Sequence, residues 1–228
     1  MLILALETST EAGSCALWQD GKVIECRCPA GQSHSATLLP LVRELLAEAA
    51  CRIGDLDAVA FGCGPGAFTG LRVACAAAQG LAEAAGKPVV PVVGLAAMAA
   101  AAGGERVMTL LDARMGEVYA AVWQRAGDRW VADDGIRVGP PADLSLDGDV
   151  PLVCGNALSA YPELAARVAG LGLMQRPEIL PEAAWIARLA VPMLQRGEAI
   201  DPAQAAPLYV RDKVARTVAE RLADGGKA

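Results

Sequence analysis

Two carboxylates, Glu7 and Asp112, occupy equivalent places in two similar segments of the chain. "LILALETSTEAGSCALW" and "VMTLLDARMGEVYAAVW" each run from an apolar stretch through the acid to a turn and a second apolar stretch. In both segments a tryptophan follows eleven residues after the acid. Such a repeat predicts two related lobes whose acids face each other across a cleft. A stand-alone ATPase or small-molecule kinase that uses Glu7 and Asp112 is one hypothesis for this chain.

The turns that follow the two acids are poor cradles for a phosphate group. Thr8, Ser9 and Thr10 supply hydroxyl groups to the first turn, but its glycine is Gly13 alone, and "DARMGE" contains one arginine and one glycine. Phosphate-binding loops use several glycines, because backbone amides must come close to the anion. The other hypothesis is therefore a vestigial or weak nucleotide cleft, formed by Glu7, Thr8, Ser9, Thr10 and Asp112.

His34 is the single histidine of the chain, which limits both metal and nucleophile chemistry. The sequence has no HExxH, HxxxH or CxxC pair, so it predicts no metal site of its own. His34 is interpreted as a structural or capping residue at the start of a helix. The seven cysteines leave a Cys–His pair conceivable, but no spacing singles one out and no G-x-S-x-G elbow is present. An odd number of cysteines without a secretion signal favours reduced thiols.

"FGCGPGAFTGLRVA", residues 61–74, places a glycine- and proline-rich loop between an apolar stretch and an alanine-rich one. The loop lacks both the GK[ST] of a Walker A sequence and the GxGxxG of a dinucleotide-binding turn, and Pro65 has no amide hydrogen to donate. Two interpretations stay open. The loop is a tight strand-to-helix turn, or it is an anion site at a helix N-terminus.

The composition restricts the class of partner. The chain has 228 residues with a net charge of −6, and it is 54% hydrophobic. Proteins that hold nucleic acid by themselves usually carry an excess of basic residues, so this balance argues against autonomous RNA or DNA binding. Arg211, Lys213 and Arg216 form the one compact basic cluster, which is either a solvated helix face or a nucleic-acid contact. "MLILAL" lacks the basic residues of a signal peptide, and no apolar run is long enough to span a membrane, so we expect a cytoplasmic protein.

The rest of the sequence alternates strand-like stretches with stretches of helical periodicity. Strands are predicted over 2–7, 56–64 and 88–94, a hairpin over 13–26 around Asp20-Gly21, and helices over 35–51, 70–86, 95–103 and 183–197. The pattern restarts at Arg106 with two further strands. The fold class is therefore α/β, with an N-terminal lobe over 1–103 and a smaller C-terminal lobe over 104–228.

Five segments, in this order along the chain, together resemble the bacterial TsaB (YeaZ) family. They are "LALETST", "SHSATLLPLVRELL", "GPGAFTGLRVA", "LLDARMGEVYAA" and "PLYVRDKVA". The resemblance implies two actin-like lobes of the ribonuclease H-like type, with mixed sheets flanked by helices. It also implies a non-catalytic scaffold and activator, with TsaD and TsaE, of threonylcarbamoyl transfer to N6 of adenosine 37 in tRNAs that read ANN codons. TsaD holds its metal with an HxxxH pair, whereas here Leu38 stands at the second position. Glu7 replaces the family's usual Asp.

The resemblance further implies how this chain meets its partners. We expect a heterodimer with a TsaD homologue, contact with TsaE, a homodimer when the chain is alone, and tRNA contact only through the complex. No cofactor of its own is expected, and any ATP or ADP would bind at the interface with TsaD. The N-terminal lobe would supply two helices to the interface, through Leu38, Leu41, Val42, Leu45, Gly70, Arg72, Val73, Ala74, Ala77, Gly80 and Leu81. In the loop between them, Gly64, Pro65 and Gly66 would shape the turn, Phe68 would anchor it, and Thr69 would cap the helix.

Overall fold

The computed structural model describes residues 1–146 and 149–211, which form two β-sheets with helices packed on their faces. Lys213 and Arg216 of the predicted basic cluster lie outside the described residues. The strands are β1 (Leu2–Glu7), β2 (Ser14–Gln19), β3 (Lys22–Arg27), β4 (Ala58–Gly64), β5 (Val89–Val93), β6 (Arg106–Arg114), β7 (Glu117–Ala126), β8 (Arg129–Ala132), β9 (Arg137–Gly139), β10 (Leu152–Cys154) and β11 (Met174–Arg176). The helices are α1 (His34–Glu48), α2 (Phe68–Ala85), α3 (Gly94–Ala102), α4 (Ala157–Ala160), α5 (Pro162–Gly170) and α6 (Ala183–Gln195).

The first sheet has the strand order β3-β2-β1-β4-β5. β2 is antiparallel to both β1 and β3, while β4 runs parallel to both β1 and β5. β1 and β4 are buried along their whole length, as expected of central strands that are covered on both faces. Asp20 and Gly21, with φ of 48° and 89°, turn the chain between β2 and β3, which confirms the predicted hairpin.

The second sheet repeats the order of the first. Its strands run β8-β7-β6-β10-β11, again with three antiparallel strands followed by two parallel ones, and β9 pairs with β7. β6 and β7 thus correspond to β1 and β2, which are the strands that carry the repeated segments. The predicted α/β fold class, with two lobes of mixed sheets flanked by helices, is confirmed.

The helices are not divided between the two sheets at residue 103, the predicted boundary between the lobes. α1 and α2 cover one face of the first sheet, and α6 covers the other face, where Ile186 and Ala190 pack against Ile3 and Ala60. α3 instead packs on the second sheet through Leu95. The assignment of 104–228 to the second lobe therefore needs correction, because α6 returns to the first. The apolar pattern of α6 indicates a buried face but not which sheet it covers.

Residues 201–211, called the strap below, lie across both lobes. The side-chain amide of Gln79 in α2 donates hydrogen bonds to the carbonyl oxygens of Pro202 and Ala205, both at 3.1 Å. The amide of Leu208 donates to the carbonyl oxygen of Cys63 at 2.7 Å. The strap ends at Arg211, whose guanidinium donates to the carbonyl oxygen of Ala113 in the second lobe at 3.1 Å. The strap thus links α2 to the β6–β7 hairpin.

Among the described residues, no helix combines the length and the apolar character needed to cross a lipid bilayer.

Candidate functional site

A cleft of about 340 Å³ opens between the two lobes. The first lobe lines it with the loop after β1 and with the N-terminal turns of α1 and α2. The second lobe contributes the end of β6 and Asn156. The two repeated segments therefore meet at one site. Thr8, Ser9 and Thr10 belong to its lining, although none of them is more than 8% exposed.

Asp112 lines this cleft and is held by its own lobe. Its side chain is 9% exposed, and its carboxylate accepts hydrogen bonds from the hydroxyl of Tyr161 and from the amide of Arg114, both at 2.9 Å. Burial first, and then the hydrogen bond to Asp112, raises the pKa of Tyr161 to about 12. The guanidinium of Arg114 pairs with Asp112 at 3.2 Å and with Glu11 of the first lobe at 3.6 Å, so it bridges the two lobes.

Glu7 is fully buried behind the cleft and does not line it. One carboxylate oxygen accepts a 2.5 Å hydrogen bond from the amide of Ser9. The other oxygen lies where a Cβ atom on Gly62 would be, and it has no hydrogen-bond partner among the described residues. Burial raises the pKa of Glu7, and the hydrogen bonds from Ser9 only partly oppose this. The expectation that Glu7 and Asp112 face each other across the cleft is therefore wrong, and the kinase or ATPase hypothesis loses one of its two acids.

His34 is the first residue of α1 and lies at the edge of the cleft. Its Nε2 is 2.8 Å from the carbonyl oxygen of Thr10, which fixes the loop after β1. The ring packs so closely on Gly13 that a Cβ atom there would lie 2.6 Å from it. These contacts agree with the structural role that was expected for the lone histidine. The described residues contain no group of three or more His, Cys, Asp or Glu side chains that could hold a metal ion.

The glycine-rich loop packs tightly on the loop after β1. A Cβ atom on Gly66 would lie 2.6 Å from Ser9, and one on Gly70 would lie 1.8 Å from the carbonyl oxygen of Thr8. The amide of Ala67 also donates to the carbonyl oxygen of Ser9 at 2.8 Å. The interpretation as a tight strand-to-helix turn fits this geometry, since the glycines permit backbone-to-backbone contact.

Two details of the loop differ from the prediction. The helix begins two residues earlier than expected, with Ala67 at the N-cap, so Thr69 lies inside the first turn and does not cap it. Phe68 does not anchor the loop in the core, because it is 36% exposed and stacks beside Tyr209 and Arg72. Gly64, with φ of 122°, does shape the turn that leads to the cis Gly64-Pro65 bond and Gly66.

Comparison with known proteins places this arrangement in a family. Residues 29–146 match the family model of TsaD, tRNA N6-adenosine threonylcarbamoyltransferase. The chain is 37% identical to the tRNA threonylcarbamoyladenosine biosynthesis protein TsaB of Escherichia coli K12, over 94% of this chain and 96% of that protein. The chain belongs to the TsaB family. The TsaB of Haemophilus influenzae is 33% identical over 94% of this chain and 95% of that protein. The solved structure of YeaZ from Pseudomonas aeruginosa is 36% identical, with a TM-score of 0.81, and the match covers 91% of this chain and 99% of that chain.

Within this TsaB-family fold, the residues predicted for the partner interface divide into two groups. One group is buried in the core of the first lobe and is not available to a partner: Leu38, Val42, Leu45, Gly70 and Ala74. The other group reaches the surface: Leu41, Arg72, Val73, Ala77, Gly80 and Leu81. The prediction is wrong for the first group, because the apolar stripe of α1 faces its own sheet, Ala74 of α2 lies in the same core, and Gly70 packs on the loop after β1. The same geometry exposes Leu39, at 50%, which the stripe argument missed.

Proposed function

We propose that this TsaB-family chain is a non-catalytic scaffold and activator. It would assist the transfer of a threonylcarbamoyl group to N6 of adenosine 37 in tRNAs that read ANN codons. It would do so by binding a TsaD homologue and TsaE, and it would touch tRNA only through the complex. The curated relatives are named for this biosynthesis, and the TsaD family model matches half of the chain.

The placement of Leu38 is the observation that carries the non-catalytic part of the proposal. By resemblance, a TsaD-type metal site needs a second histidine four residues after His34, and Leu38 occupies that position. Leu38 is 1% exposed and packs in the core of the first lobe beneath α1. His34 itself is engaged with Thr10 and Gly13. This helix turn is therefore committed to packing the lobe.

The surface of α2 supports the scaffold part of the proposal. Val73, Ala77 and Leu81 are half-buried along one side of the helix, and Gly80 beside them is exposed. No atom lies within 4 Å of the position that a Cβ atom on Gly80 would occupy. Small residues let a second helix approach closely. Leu39 and Leu41 extend this apolar surface onto α1.

The remaining partners follow from the same proposal. Alone, the chain would form a homodimer through this α1–α2 surface, and the TsaD homologue would replace the second copy. The chain would hold no cofactor of its own, and ATP or ADP would bind at the interface with TsaD. The proposed assembly is cytoplasmic.

Reconstitution tests the proposal. Purified TsaD homologue, TsaE, threonylcarbamoyl-adenylate and tRNA are combined with and without this chain, and modified adenosine is measured. The chain should raise the rate strongly, and Gly80→Arg should abolish both the effect and the heterodimer. Gly170→Arg, an equally open helical glycine on the second lobe, is the matched control and should behave as wild type. Equal modification without the chain would refute the proposal.

A further inference from the structure

Arg72 is held in a fixed orientation at the surface of α2. The carbon Cζ of its guanidinium lies 3.8 Å from the centre of the Phe68 ring. Its Nε donates a 3.0 Å hydrogen bond to the hydroxyl of Tyr209 in the strap. The rings of Phe68 and Tyr209 are 5.6 Å apart and inclined by 34°. These three side chains are called the Arg72 platform below. Phe68 and Arg72 lie near the start of α2, and Tyr209 lies in the strap, 137 residues after Arg72.

Among the described residues, the guanidinium of the Arg72 platform has no anionic partner. Within residues 1–146 and 149–211, no carboxylate lies within 4.0 Å of Arg72, whereas Arg211 of the strap is paired with Glu117. The stacking and the bond through Nε leave the terminal nitrogens of Arg72 for another acceptor. A guanidinium fixed in this way is pre-organised for a bidentate oxyanion, because little side-chain entropy remains to be lost.

Two partly exposed aromatic rings lie against this cation, and Leu208 precedes one of them in the chain. Phe68 and Leu208 are each 36% exposed, and Tyr209 is 47% exposed. Binding hot spots are often arginines with apolar neighbours, because these neighbours exclude water from an ion pair that the arginine forms with a partner. The platform also lies on the helix whose Val73, Ala77 and Gly80 form the proposed interface, about two turns from Gly80.

We propose that the Arg72 platform recognises a carboxylate side chain on the TsaD homologue. This inference rests on the proposed function and specifies the chemistry of the partner at one edge of the interface. A protein carboxylate fits better than an RNA phosphate. RNA binding requires several free cations, but Arg211, the cation in the same strap as Tyr209, is neutralised by Glu117.

Titration of the TsaD homologue with full-length variants tests this assignment. Arg72→Ala should weaken the heterodimer about 30-fold, the loss typical of a hot-spot residue. Arg72→Lys should weaken it about tenfold, because lysine keeps the charge but loses the planar fork. Arg188→Ala is the matched control, since Arg188 is also an exposed arginine placed over an aromatic ring, that of Trp185, and it should bind as wild type. The salt dependence of binding should also be smaller for Arg72→Ala than for wild type.

Three results would overturn the assignment. The first is a heterodimer of Arg72→Ala that is as tight as that of wild type. A failure of the proposed function would look different, because wild type itself would then not bind TsaD. The second is an unchanged heterodimer with weakened tRNA binding by the assembled complex, which would identify RNA as the occupant. The third is an equal loss of TsaD binding in Asp212→Asn, which would indicate that Arg72 finds its acid within this chain.

Discussion

The hydroxyl of Thr8 donates a 2.7 Å hydrogen bond to the carbonyl oxygen of Gly70, and this bond joins the loop after β1 to the first turn of α2. The contact is so close that the carbonyl oxygen of Thr8 lies 1.8 Å from the place of a Cβ atom on Gly70. Gly70 is therefore needed for packing and not for an unusual backbone conformation. The same reasoning applies to Gly66 against Ser9. Gly66 and Gly70 thus both permit close contact with the loop after β1.

Gly70→Ala should destabilise the protein by about 1–3 kcal/mol, because the added methyl group forces the helix away from the loop. The measurement is urea unfolding followed by circular dichroism. Gly80→Ala in the same helix is the control, since a Cβ atom there meets open space. That control should gain about 0.5–1 kcal/mol, as expected for alanine in a helix. Equal stability of Gly70→Ala and wild type would show that the close contact is not required.

Local chemistry explains which parts of the fold could be predicted. Asp20 and Gly21 favour a hairpin turn through their own backbone preferences. The repeated segments predict two lobes from sequence similarity alone. The apolar stripe of α1 likewise predicts a buried face. None of these patterns says what covers that face, so Leu38 and Leu45 were assigned to a partner when they pack on their own sheet.

The geometry of the site depends on contacts between residues that are far apart in the sequence, and local patterns do not predict such contacts. Glu7 is the last residue of β1, and the sequence does not say toward which neighbour its side chain points. The carboxylate lies against Gly62, where only a glycine leaves room. Arg72 meets Tyr209 from a strap 137 residues away, and no local pattern links the two. Asp112, near the C-terminal end of β6, does line the cleft, although the sequence pattern that predicted this is the same one that failed for Glu7.

Glu7 should make stability depend on pH. Burial raises its pKa above the ordinary 4.5, so the folded protein holds this proton more tightly than the unfolded chain. The resulting stability is present at low pH and is lost as the pH rises from 4.5 through the pKa in the folded state. Glu7→Gln lacks this titration. Relative to wild type, its free energy of unfolding should therefore increase with pH, by at most about 1.4 kcal/mol per pH unit.

Urea unfolding of both proteins at a series of pH values measures that difference. Because other acids titrate in the same range, the comparison uses the difference between the two proteins at each pH. Ser9 keeps its hydrogen bond in Glu7→Gln, since the amide oxygen of glutamine can accept from the same N–H. A difference that stays constant with pH would contradict the assignment.

The buried thiols should resist alkylation. Burial raises the pKa of Cys15, Cys63 and Cys154 to about 12, so they carry little of the reactive thiolate. With iodoacetamide at about pH 8, near the ordinary pKa of a cysteine thiol, these three should stay unmodified until the protein unfolds. The partly exposed Cys51 should react first. Mass spectrometry of peptides measures each site, and rapid labelling of Cys63 in folded protein would contradict its burial.

Arg211 should control how firmly the strap is held. Its guanidinium is 15% exposed, pairs with Glu117 and donates to the carbonyl oxygen of Ala113 at 3.1 Å. Arg211→Met removes these contacts and leaves Glu117 without its cation, so we expect a loss of about 1.5–3 kcal/mol, the value of hydrogen bonds to charged groups. The loss should appear first in the strap. The amide of Leu208, bonded to Cys63, should exchange its hydrogen faster in the variant.

The control for Arg211 is an ion pair of the same type at an open surface. Arg176 pairs with Glu178 at 2.5 Å, but these side chains are 44% and 61% exposed, so solvent screens the interaction. Arg176→Met should therefore cost less than about 1 kcal/mol and leave the exchange of the Leu208 amide unchanged. Because Leu208 contacts the first lobe and Arg211 the second, faster exchange at Leu208 in Arg211→Met alone would demonstrate that the strap couples the lobes. Unchanged exchange in both variants would show that the contacts with the first lobe alone hold the strap at Leu208.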